Sequence, residues 1–331
     1  MTVFGAIALL LLAALLALIT LPQAVRLETA MGMAQLIAFR GPLLIAEAVL
    51  LVFTLIVLAG SRNRVLPSIA VAVAAITVIA NAGILFARGF ASDAPRPEAA
   101  NTITVLSWNT RGDEPGSPTI AKLALESGAD VIALPETSEE MGEEVARIMG
   151  NEGRPMWVYS RTIDHEYTWT ATTLLISPDL GEYQLQETVP DEGIPMVIAE
   201  SVSGAGPTIV AAHPMAPLPN LMTQWRSELR TLASFCDGNM IMAGDFNSTL
   251  DHWAHMGRDG HDFGHCNDSA TQAGSGAVGT WSAGIPAPLA SPIDHVVATD
   301  QWRAIAARVV TDYDRAGSDH RPIVATLTAD L

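Results

Sequence analysis

Three long apolar runs occupy the first part of the chain. Thr2–Thr20 has no charged side chain, Leu43–Gly60 has one acid, Glu47, and Leu66–Phe86 is uncharged. About 20 apolar residues in a helix span the ~30 Å hydrocarbon core of a bilayer. The pattern therefore predicts about three transmembrane helices in residues 1–90. A cleaved signal peptide is the alternative for the first run, but it lacks a basic N-terminal region and two further runs follow.

A different pattern begins near residue 101, where short runs rich in Val, Ile and Thr alternate with turn residues. Such runs are typical of β-strands, and eight of them predict strands at Thr102–Ser107, Ala129–Leu134, Thr172–Ile176, Met196–Ala199, Thr208–Ala212, Met240–Met242, His295–Ala298 and Pro322–Leu327. Apolar residues at helical spacing predict helices at Thr119–Ser127, Glu139–Met149 and Asn220–Phe235. Many strands with few intervening helices favour an α/β sandwich of two sheets over an alternating βαβ fold.

Two segments separate these patterns. Arg26–Arg40 is mixed in character, so it either lies in the membrane interface or extends the second helix. Residues 91–100 are rich in Pro and Ala and predict a linker. The predicted organisation is an anchor in residues 1–90, this linker, and a domain in residues 101–331.

The distribution of charge supports that division. Residues 1–90 carry five Arg and two Glu, a net charge of +3, whereas the remainder carries 13 Lys and Arg against 33 Asp and Glu, a net charge of −20. A domain this acidic lacks the broad basic surface of a non-specific nucleic-acid-binding protein. A nuclease is still compatible with it, because bound metal ions reverse the sign of the charge locally.

Cysteine content and the positions of Arg bear on localisation. The two cysteines, Cys236 and Cys266, fit no zinc-binding spacing and either form one disulfide or remain two buried thiols. The total count of Arg near the spans favours a cytoplasmic C-terminal domain, whereas the dense pair Arg62 and Arg64 favours an exported one. The acidic domain and its cysteine pair lead us to expect a bacterial inner-membrane protein with this domain on the outer, periplasmic side.

Polar residues recur where the predicted strands end or begin, which is where loops present side chains to a substrate. The set comprises Asn109, Glu136, His213, Asp245, Asn247, Asp294, Asp319 and His320. Each residue alone has an ordinary interpretation as a turn former, a helix start or a structural loop residue. Their recurrence at the same topological position is what predicts a site.

The residue types in this set indicate chemistry. The carboxylates of Glu136, Asp245 and Asp319 are hard oxygen ligands, which favour Mg²⁺ or Mn²⁺ over zinc. The amides of Asn109 and Asn247 add further oxygen ligands. Metal-binding oxygens beside proton-moving groups are the equipment of phosphoryl transfer.

The two histidines complete that equipment. His213 and His320 can donate hydrogen bonds or move protons near neutral pH. Asp294 is an acid that could orient one of them. The nucleophile sequence GxSxG of serine hydrolases is absent from the chain.

The ordered set of Trp-Asn109, Pro-Glu136, His213, Gly-Asp245-Phe-Asn247, Ile-Asp294-His and Ser-Asp319-His320 resembles the endonuclease/exonuclease/phosphatase superfamily over residues 101–331. That superfamily includes pancreatic deoxyribonuclease, apurinic-site endonucleases, neutral sphingomyelinases and inositol-polyphosphate 5-phosphatases. With the N-terminal spans, the chain is most similar to bacterial membrane-anchored members. The resemblance implies a four-layered α/β sandwich.

The resemblance also implies roles for the site residues. Glu136 would be the principal Mg²⁺ ligand, with Asn109 and Asp319 nearby. Asp245 would activate or orient the attacking water and Asn247 would help to position it. The scissile phosphate would face His213 and His320, with His320 held by Asp294.

Four further histidines lie in the segment after Asn247, with a cysteine: His252, His255, His261, His265 and Cys266. A zinc site is one interpretation, but the spacing fits no zinc template and the segment is rich in Asp and Gly. We therefore expect a solvated loop near the cleft. Trp253 and Trp281 are expected to anchor core or loop, with a substrate platform as the alternative.

The sequence thus predicts a membrane-anchored phosphoesterase that uses Mg²⁺ or Mn²⁺ and hydrolyses phosphodiester bonds. Nucleic acid is the first candidate substrate, and a phospholipid or another phosphoester is the alternative. A non-catalytic membrane scaffold is a third hypothesis, which the full set of site residues disfavours. The expected partners are the phosphoester substrate and the lipid bilayer.

Overall fold

The computed structural model describes residues 3–91, 101–164, 166–187, 189 and 193–329. All but the first residue of the predicted linker 91–100 lies outside them. The N-terminal part consists of α1 (Val3–Thr20), a 3-10 turn (Pro22–Val25), α2 (Met33–Ile37), α3 (Arg40–Gly60) and α4 (Val65–Arg88). The mixed segment Arg26–Arg40 contributes only its last residue to α3.

Within the described part of the chain, α3 and α4 are long and apolar enough to cross a membrane. The first predicted span corresponds to α1, whose apolar stretch from Phe4 to Thr20 is shorter than α3 and α4. The three helices bury polar groups among themselves: Glu47 accepts hydrogen bonds from Thr20 (3.1 Å) and Asn81 (3.3 Å). Large apolar side chains such as Phe53 instead point outward. This arrangement suits an apolar environment, since soluble proteins rarely expose such patches.

The described residues from 101 onward contain twelve strands and four α-helices. The strands are β1 (Thr102–Ser107), β2 (Val131–Pro135), β3 (Trp157–Thr162), β4 (Ala171–Ile176), β5 (Tyr183–Leu185), β6 (Val197–Ser201), β7 (Thr208–Ala212), β8 (Met240–Asp245), β9 (Cys266–Asp268), β10 (Asp294–Thr299), β11 (Trp302–Val309) and β12 (Ile323–Ala329). The helices are α5 (Ser117–Ser127), α6 (Glu139–Asn151), α7 (Met222–Phe235) and α8 (Ser269–Gln272).

The strands form two six-stranded sheets, ordered β11-β12-β1-β2-β4-β3 and β5-β6-β7-β8-β10-β9. Their inner faces pack against each other through alternate apolar residues, such as Val105 and Val131 against Ile209 and Ile241. Helices α5 and α6 cover the outer face of the first sheet, and α7 covers that of the second. The predicted α/β sandwich is confirmed.

All eight predicted strands are present, with bounds shifted by a few residues. The four that the sequence pattern did not predict are β3, β5, β9 and β11, which are the two edges of each sheet. The three predicted helices correspond to α5, α6 and α7. Helix α7 buries Trp225, Leu229, Leu232 and Ala233, as the apolar spacing predicts.

Cys236 and Cys266 are joined by a disulfide, which resolves the two alternatives left open by the sequence. Cys236 directly follows α7 and Cys266 begins β9. The bridge therefore closes a loop that contains β8 and ties the edge strand to the covering helix.

A buried carboxylate joins the N-terminal helices to the sandwich. Asp251, in the loop after β8, accepts two hydrogen bonds from Arg40 (both 2.6 Å) and two from Arg88 (both 2.8 Å). Gln23 donates a fifth at 2.8 Å. Burial acts to raise the pKa of Asp251, but the guanidinium groups of Arg88 and Arg40 outweigh it and hold this pKa well below its usual range.

The expectation of a solvated loop after Asn247 is wrong at His252. Its ring is buried, with Nδ1 accepting from the Thr249 amide (2.8 Å) and Nε2 donating to the Ala34 carbonyl (3.0 Å). Burial lowers the pKa of His252 to about 4. The N-terminal segment docks on this part of the loop. His252 is therefore buried against Ala34 and is not exposed to solvent.

Replacing Asp251 with Ala should lower the free energy of unfolding by about 3–5 kcal/mol, because two guanidinium groups would be left buried without their partner. Denaturant unfolding of the full chain in detergent, followed by tryptophan fluorescence, measures this. Asp300→Ala is the matched control: Asp300 pairs with His261 at 2.9 Å but is 71% exposed, so its loss should cost less than about 1 kcal/mol. Equal losses for the two variants would contradict a structural role for the buried cluster.

Candidate active site

Strand directions bring the predicted site residues to one edge of the sandwich. In the first sheet β1 and β2 are parallel, so Asn109 and Glu136, which follow them, lie at the same end. In the second sheet β7 and β8 are parallel, which does the same for His213 and Asp245. The two sheets thus present four polar side chains at the carboxyl ends of adjacent strands.

Antiparallel neighbours supply the remaining residues. Strand β10 pairs with β8 so that its first residue, Asp294, lies in register with Asp245. Strand β12 runs antiparallel to β1, which places the preceding Asp319 and His320 beside the end of β1. Ser318 fixes this contact by donating to the Asn109 carbonyl at 2.6 Å.

Backbone conformation at this edge is unusual. Glu136 has φ +54° and Asn247 has φ +47°, the left-handed region that non-glycine residues rarely adopt. Gly244 packs so closely against the Ala212 carbonyl that a Cβ would collide with it. Such conformations persist where the surrounding structure enforces them, typically at functional sites.

Asp294, His320 and Asp245 form a buried chain. His320 Nδ1 donates to Asp294 Oδ2 at 2.9 Å, and its Nε2 lies 3.7 Å from Asp245 Oδ2. Burial acts to lower the pKa of His320, but the charges of Asp294 and Asp245 outweigh it and raise this pKa to about 10. The imidazole is therefore a positively charged donor held between two acids.

Asn109 links Asp245 to Glu136. Its Nδ2 donates to Glu136 Oε1 at 2.9 Å and to Asp245 Oδ2 at 3.0 Å, while its Oδ1 accepts from the Arg111 amide. The amide thus presents its nitrogen to the carboxylates. His213 Nε2 lies 3.6 Å from Glu136 Oε1 and 3.7 Å from Asp245 Oδ2. Burial raises the pKa of Glu136 and lowers that of His213.

Asp319 and Asn247 lie at the rim of this cluster. Trp281 Nε1 donates to Asp319 Oδ2 at 3.0 Å, and Arg111 Nε lies 3.8 Å from Asp319 Oδ1. Asn247 donates from its side chain to the Pro214 carbonyl at 3.0 Å and from its backbone to Asp245 Oδ1 at 2.8 Å. The structure therefore brings all eight predicted residues to one site.

Two residues of the site were not predicted as such. Arg111 lies two positions after Asn109, and its proximity to Asp319 is a tertiary contact that no local pattern indicates. Trp281 was expected to anchor the core or a loop, with a substrate platform as the alternative. Its ring lines the cleft and donates a hydrogen bond to Asp319. Trp253, by contrast, is buried against Phe246 and His295, as expected of an anchor.

Two groups of side chains offer donor atoms to a divalent metal ion. The carboxylates of Glu136 and Asp319 both line the open cleft. Asp245, Asp294 and His320 also place one ligand atom each within 4.8 Å of one another. In the second group, however, Nδ1 of His320 is committed to Asp294 and the ring is positively charged, which suits a hydrogen-bond donor better than a ligand.

The floor of a cleft of about 1010 Å³ is formed by six of the predicted site residues: Glu136, His213, Asp245, Asn247, Asp319 and His320. Its walls include Ile163, Trp169 and Leu218 from the sandwich. Gln35, Ala38 and Phe39 from the N-terminal part complete them. The cleft is large enough for a substrate well beyond a simple phosphate.

The sequence profile of the endonuclease/exonuclease/phosphatase family matches residues 106–320, which is more than half of the chain and contains the whole site. The chain belongs to this family. Members of the family are hydrolases that act on phosphoesters. The comparison with curated proteins found no match.

Solved structures share the fold at low sequence identity. A humanized TDP2 of D. rerio has a TM-score of 0.55 at 15% identity, covering 69% of this chain and 99% of that one. The endonuclease/exonuclease/phosphatase protein of Beutenbergia cavernae has a TM-score of 0.52 at 19% identity, covering 69% and 72%. That of Bacteroides vulgatus has 0.52 at 15%, covering 70% and 100%. At these identities the likeness concerns the fold.

Removing the His320 side chain should lower kcat on a phosphodiester by about 10²–10⁴-fold, the usual scale for an acid–base group or a preorganised donor. Asp294→Asn should also lower kcat, because it frees the ring of His320. The double variant Asp294→Asn/His320→Ala should be little worse than His320→Ala, since groups that act as a unit are non-additive. Steady-state kinetics with a chromogenic diester measures all three.

The hydrogen-bonded pair of His261 and the exposed Asp300, which lies outside the cleft, provides the control, and its Ala variants should keep the wild-type kcat. Multiplicative losses at Asp294 and His320 would show that the two do not act together. A wild-type value of kcat/KM in His320→Ala would show that His320 takes no part in the reaction.

Proposed function

We propose that the protein is a divalent-metal-dependent phosphodiester hydrolase, anchored in a membrane by its N-terminal helices. The buried chain of Asp294, His320 and Asp245, facing Glu136 across Asn109, is the observation that carries the proposal. A non-catalytic scaffold would not need a buried imidazole that is hydrogen-bonded to one buried acid and lies 3.7 Å from a second. Burying these acids lowers the stability of the fold, so their presence favours a functional role.

Glu136 and Asp319 would hold Mg²⁺ or Mn²⁺, with Asn109 beside them. The bound ion would neutralise negative charge on the phosphoryl oxygens. Asn109 acts in this arrangement by donating to both Glu136 and Asp245, which fixes the direction of each carboxylate. Preset carboxylates of this kind need no reorganisation when the substrate arrives.

Asp245 would orient the attacking water and accept its proton. Asn247, whose backbone amide donates to Asp245 Oδ1, holds that carboxylate and helps to position the water. The Nε2 atoms of His320 and His213 each lie 3.7 Å from Asp245 Oδ2. Both rings would donate hydrogen bonds to the phosphate as negative charge develops on it. Asp294 keeps His320 in orientation and charged.

Activity should vanish with EDTA and return with Mg²⁺ or Mn²⁺, because carboxylate oxygens bind hard cations. Glu136→Gln should raise the Mg²⁺ concentration needed for half-maximal rate by about tenfold or more, on the scale of losing one metal-site interaction. Glu140→Gln, an exposed acid at the start of α6, is the matched control and should leave it unchanged. Full activity in chelator, or reactivation by zinc alone, would rule out this site.

The disulfide and the arrangement of the helices support a catalytic domain on the outer side of the membrane. Disulfides persist in oxidising compartments such as the bacterial periplasm. Arg40 reaches the Thr20 carbonyl at 3.2 Å, so the end of α1 and the start of α3 lie on the side of the sandwich. The short loop with Arg62 and Arg64 would then lie in the cytoplasm, as the positive-inside rule favours.

A reporter that is active only outside the cytoplasm, fused after Leu331, should therefore be active. The same reporter inserted at Arg62 should be silent, which makes the loop an internal control. The reverse pattern would overturn the orientation and leave the hydrolase proposal standing. Release of the chain from membranes by alkaline carbonate would contradict the anchor itself.

A further inference from the structure

The segment between α1 and α3 is docked on the sandwich next to the active site. Ala34 is fully buried against Met222, Trp225 and Leu229 of α7. Arg226 donates to the Thr29 carbonyl at 2.8 Å, which ties the same segment to the middle of α7. These contacts make the segment part of the catalytic domain's surface.

This segment also builds one wall of the catalytic cleft. Gln35 lines the cleft and donates to the Pro217 carbonyl at 2.5 Å. The Phe39 ring packs against the Trp281 ring at a centroid distance of 5.9 Å, and Trp281 in turn donates a hydrogen bond to Asp319. Two contacts therefore connect the N-terminal segment to a proposed metal ligand.

The cleft lies at the end of the catalytic domain on which α3 and α4 are docked. Phe39 immediately precedes Arg40, the first residue of the spanning helix α3. An added Cβ at Gly41 would collide with the Pro288 carbonyl, so the first turn of α3 lies directly on the sandwich. Asp251 holds the ends of both α3 and α4 at this level through Arg40 and Arg88. A bilayer around α3 and α4 would thus begin next to the cleft.

The chemistry of the cleft changes from floor to wall. The floor holds the charged cluster, whereas the walls carry large apolar side chains that remain exposed: Ile163 (43%), Trp169 (49%) and Leu218 (50%). Among the described lining residues Arg111 is the one Lys or Arg, against four acids. Polyanionic nucleic acid is bound through many cationic contacts, so these walls suit an apolar group better.

We infer that Phe39, Trp169 and Leu218 form a subsite for the hydrocarbon part of a membrane lipid, whose phosphodiester reaches the catalytic floor. The inference rests on the proposed hydrolase function and names its substrate class. Water adds to phosphorus, one P–O ester bond breaks, and the leaving oxygen takes a proton. The products are an alcohol and a phosphomonoester, one of which stays in the bilayer.

A series of diesters with one leaving group tests the subsite. Full-length protein in lipid nanodiscs is assayed with p-nitrophenyl ethyl, butyl and octyl phosphates below their micelle concentrations, and with thymidine 5′-(p-nitrophenyl phosphate). The kcat/KM value should rise by at least about tenfold from ethyl to octyl, the gain expected from burying only two methylene groups. The thymidine ester should be no better than the ethyl ester.

Partition of octyl chains into the nanodisc would also raise the rate, so variants must separate it from binding. Phe39→Ala and Trp169→Ala should reduce the octyl-to-ethyl ratio of kcat/KM by about tenfold, mainly through KM for the octyl ester. Their matched controls are Phe53→Ala on the lipid-facing side of α3 and Trp157→Ala on β3, both exposed and outside the cleft. The controls should keep the wild-type ratio.

The outcomes distinguish the two proposals. A chain-length dependence that Phe39→Ala and Trp169→Ala leave intact would overturn the subsite while the hydrolase function stands. A clear preference for the thymidine ester would also overturn it and indicate a nucleotide substrate. Hydrolysis of none of the diesters would refute the proposed function, and the lipid subsite with it.

Discussion

The concentration of four acid groups at one edge of the sandwich is the constraint on which the site depends. Asp245 and Asp294 are strand partners, and the loops after β2 and before β12 add Glu136 and Asp319. Like charges this close repel one another and oppose folding unless cations balance them. His320 offsets part of this repulsion by lying between Asp294 and Asp245.

The other two acids are less well compensated. Among the described residues, the guanidinium nearest to Asp319 is that of Arg111, at 3.8 Å and 60% exposed, and Glu136 accepts from the Asn109 amide. A cation bound between Glu136 and Asp319 would remove this imbalance. We propose that the unusual backbone conformation at Glu136 serves this purpose, because it holds the carboxylate where a bound ion would neutralise it.

Sequence patterns predicted the interior of the sandwich but not its margins. Central strands such as β1 and β8 are buried along their length and leave clear apolar runs. Edge strands pair on one side only and carry exposed polar positions; β3, with Trp157 53% exposed, has no comparable run. The site residues were predictable because each lies directly beside a central strand.

Contacts between distant parts of the chain were not predictable. Asp251 and Arg40 are 211 positions apart, and no local spacing relates them. The same holds for His252, whose partner at Ala34 lies 218 positions away and turns an expected solvated loop into a buried junction. Because of that junction, the segment between α1 and α3 forms one wall of the cleft and also joins the proposed membrane anchor to the sandwich.

The position of a bound metal ion is the most direct test of the proposal that Glu136 and Asp319 hold a divalent cation. Crystals grown with Mn²⁺ and measured for anomalous scattering would show where it binds. We predict a peak at about 2 Å from a carboxylate oxygen of Glu136, the distance usual for small hard cations, with Asp319 bound to the same ion and His320 still hydrogen-bonded to Asp294. A peak bound instead by Asp245, Asp294 and Nε2 of His320 would contradict it.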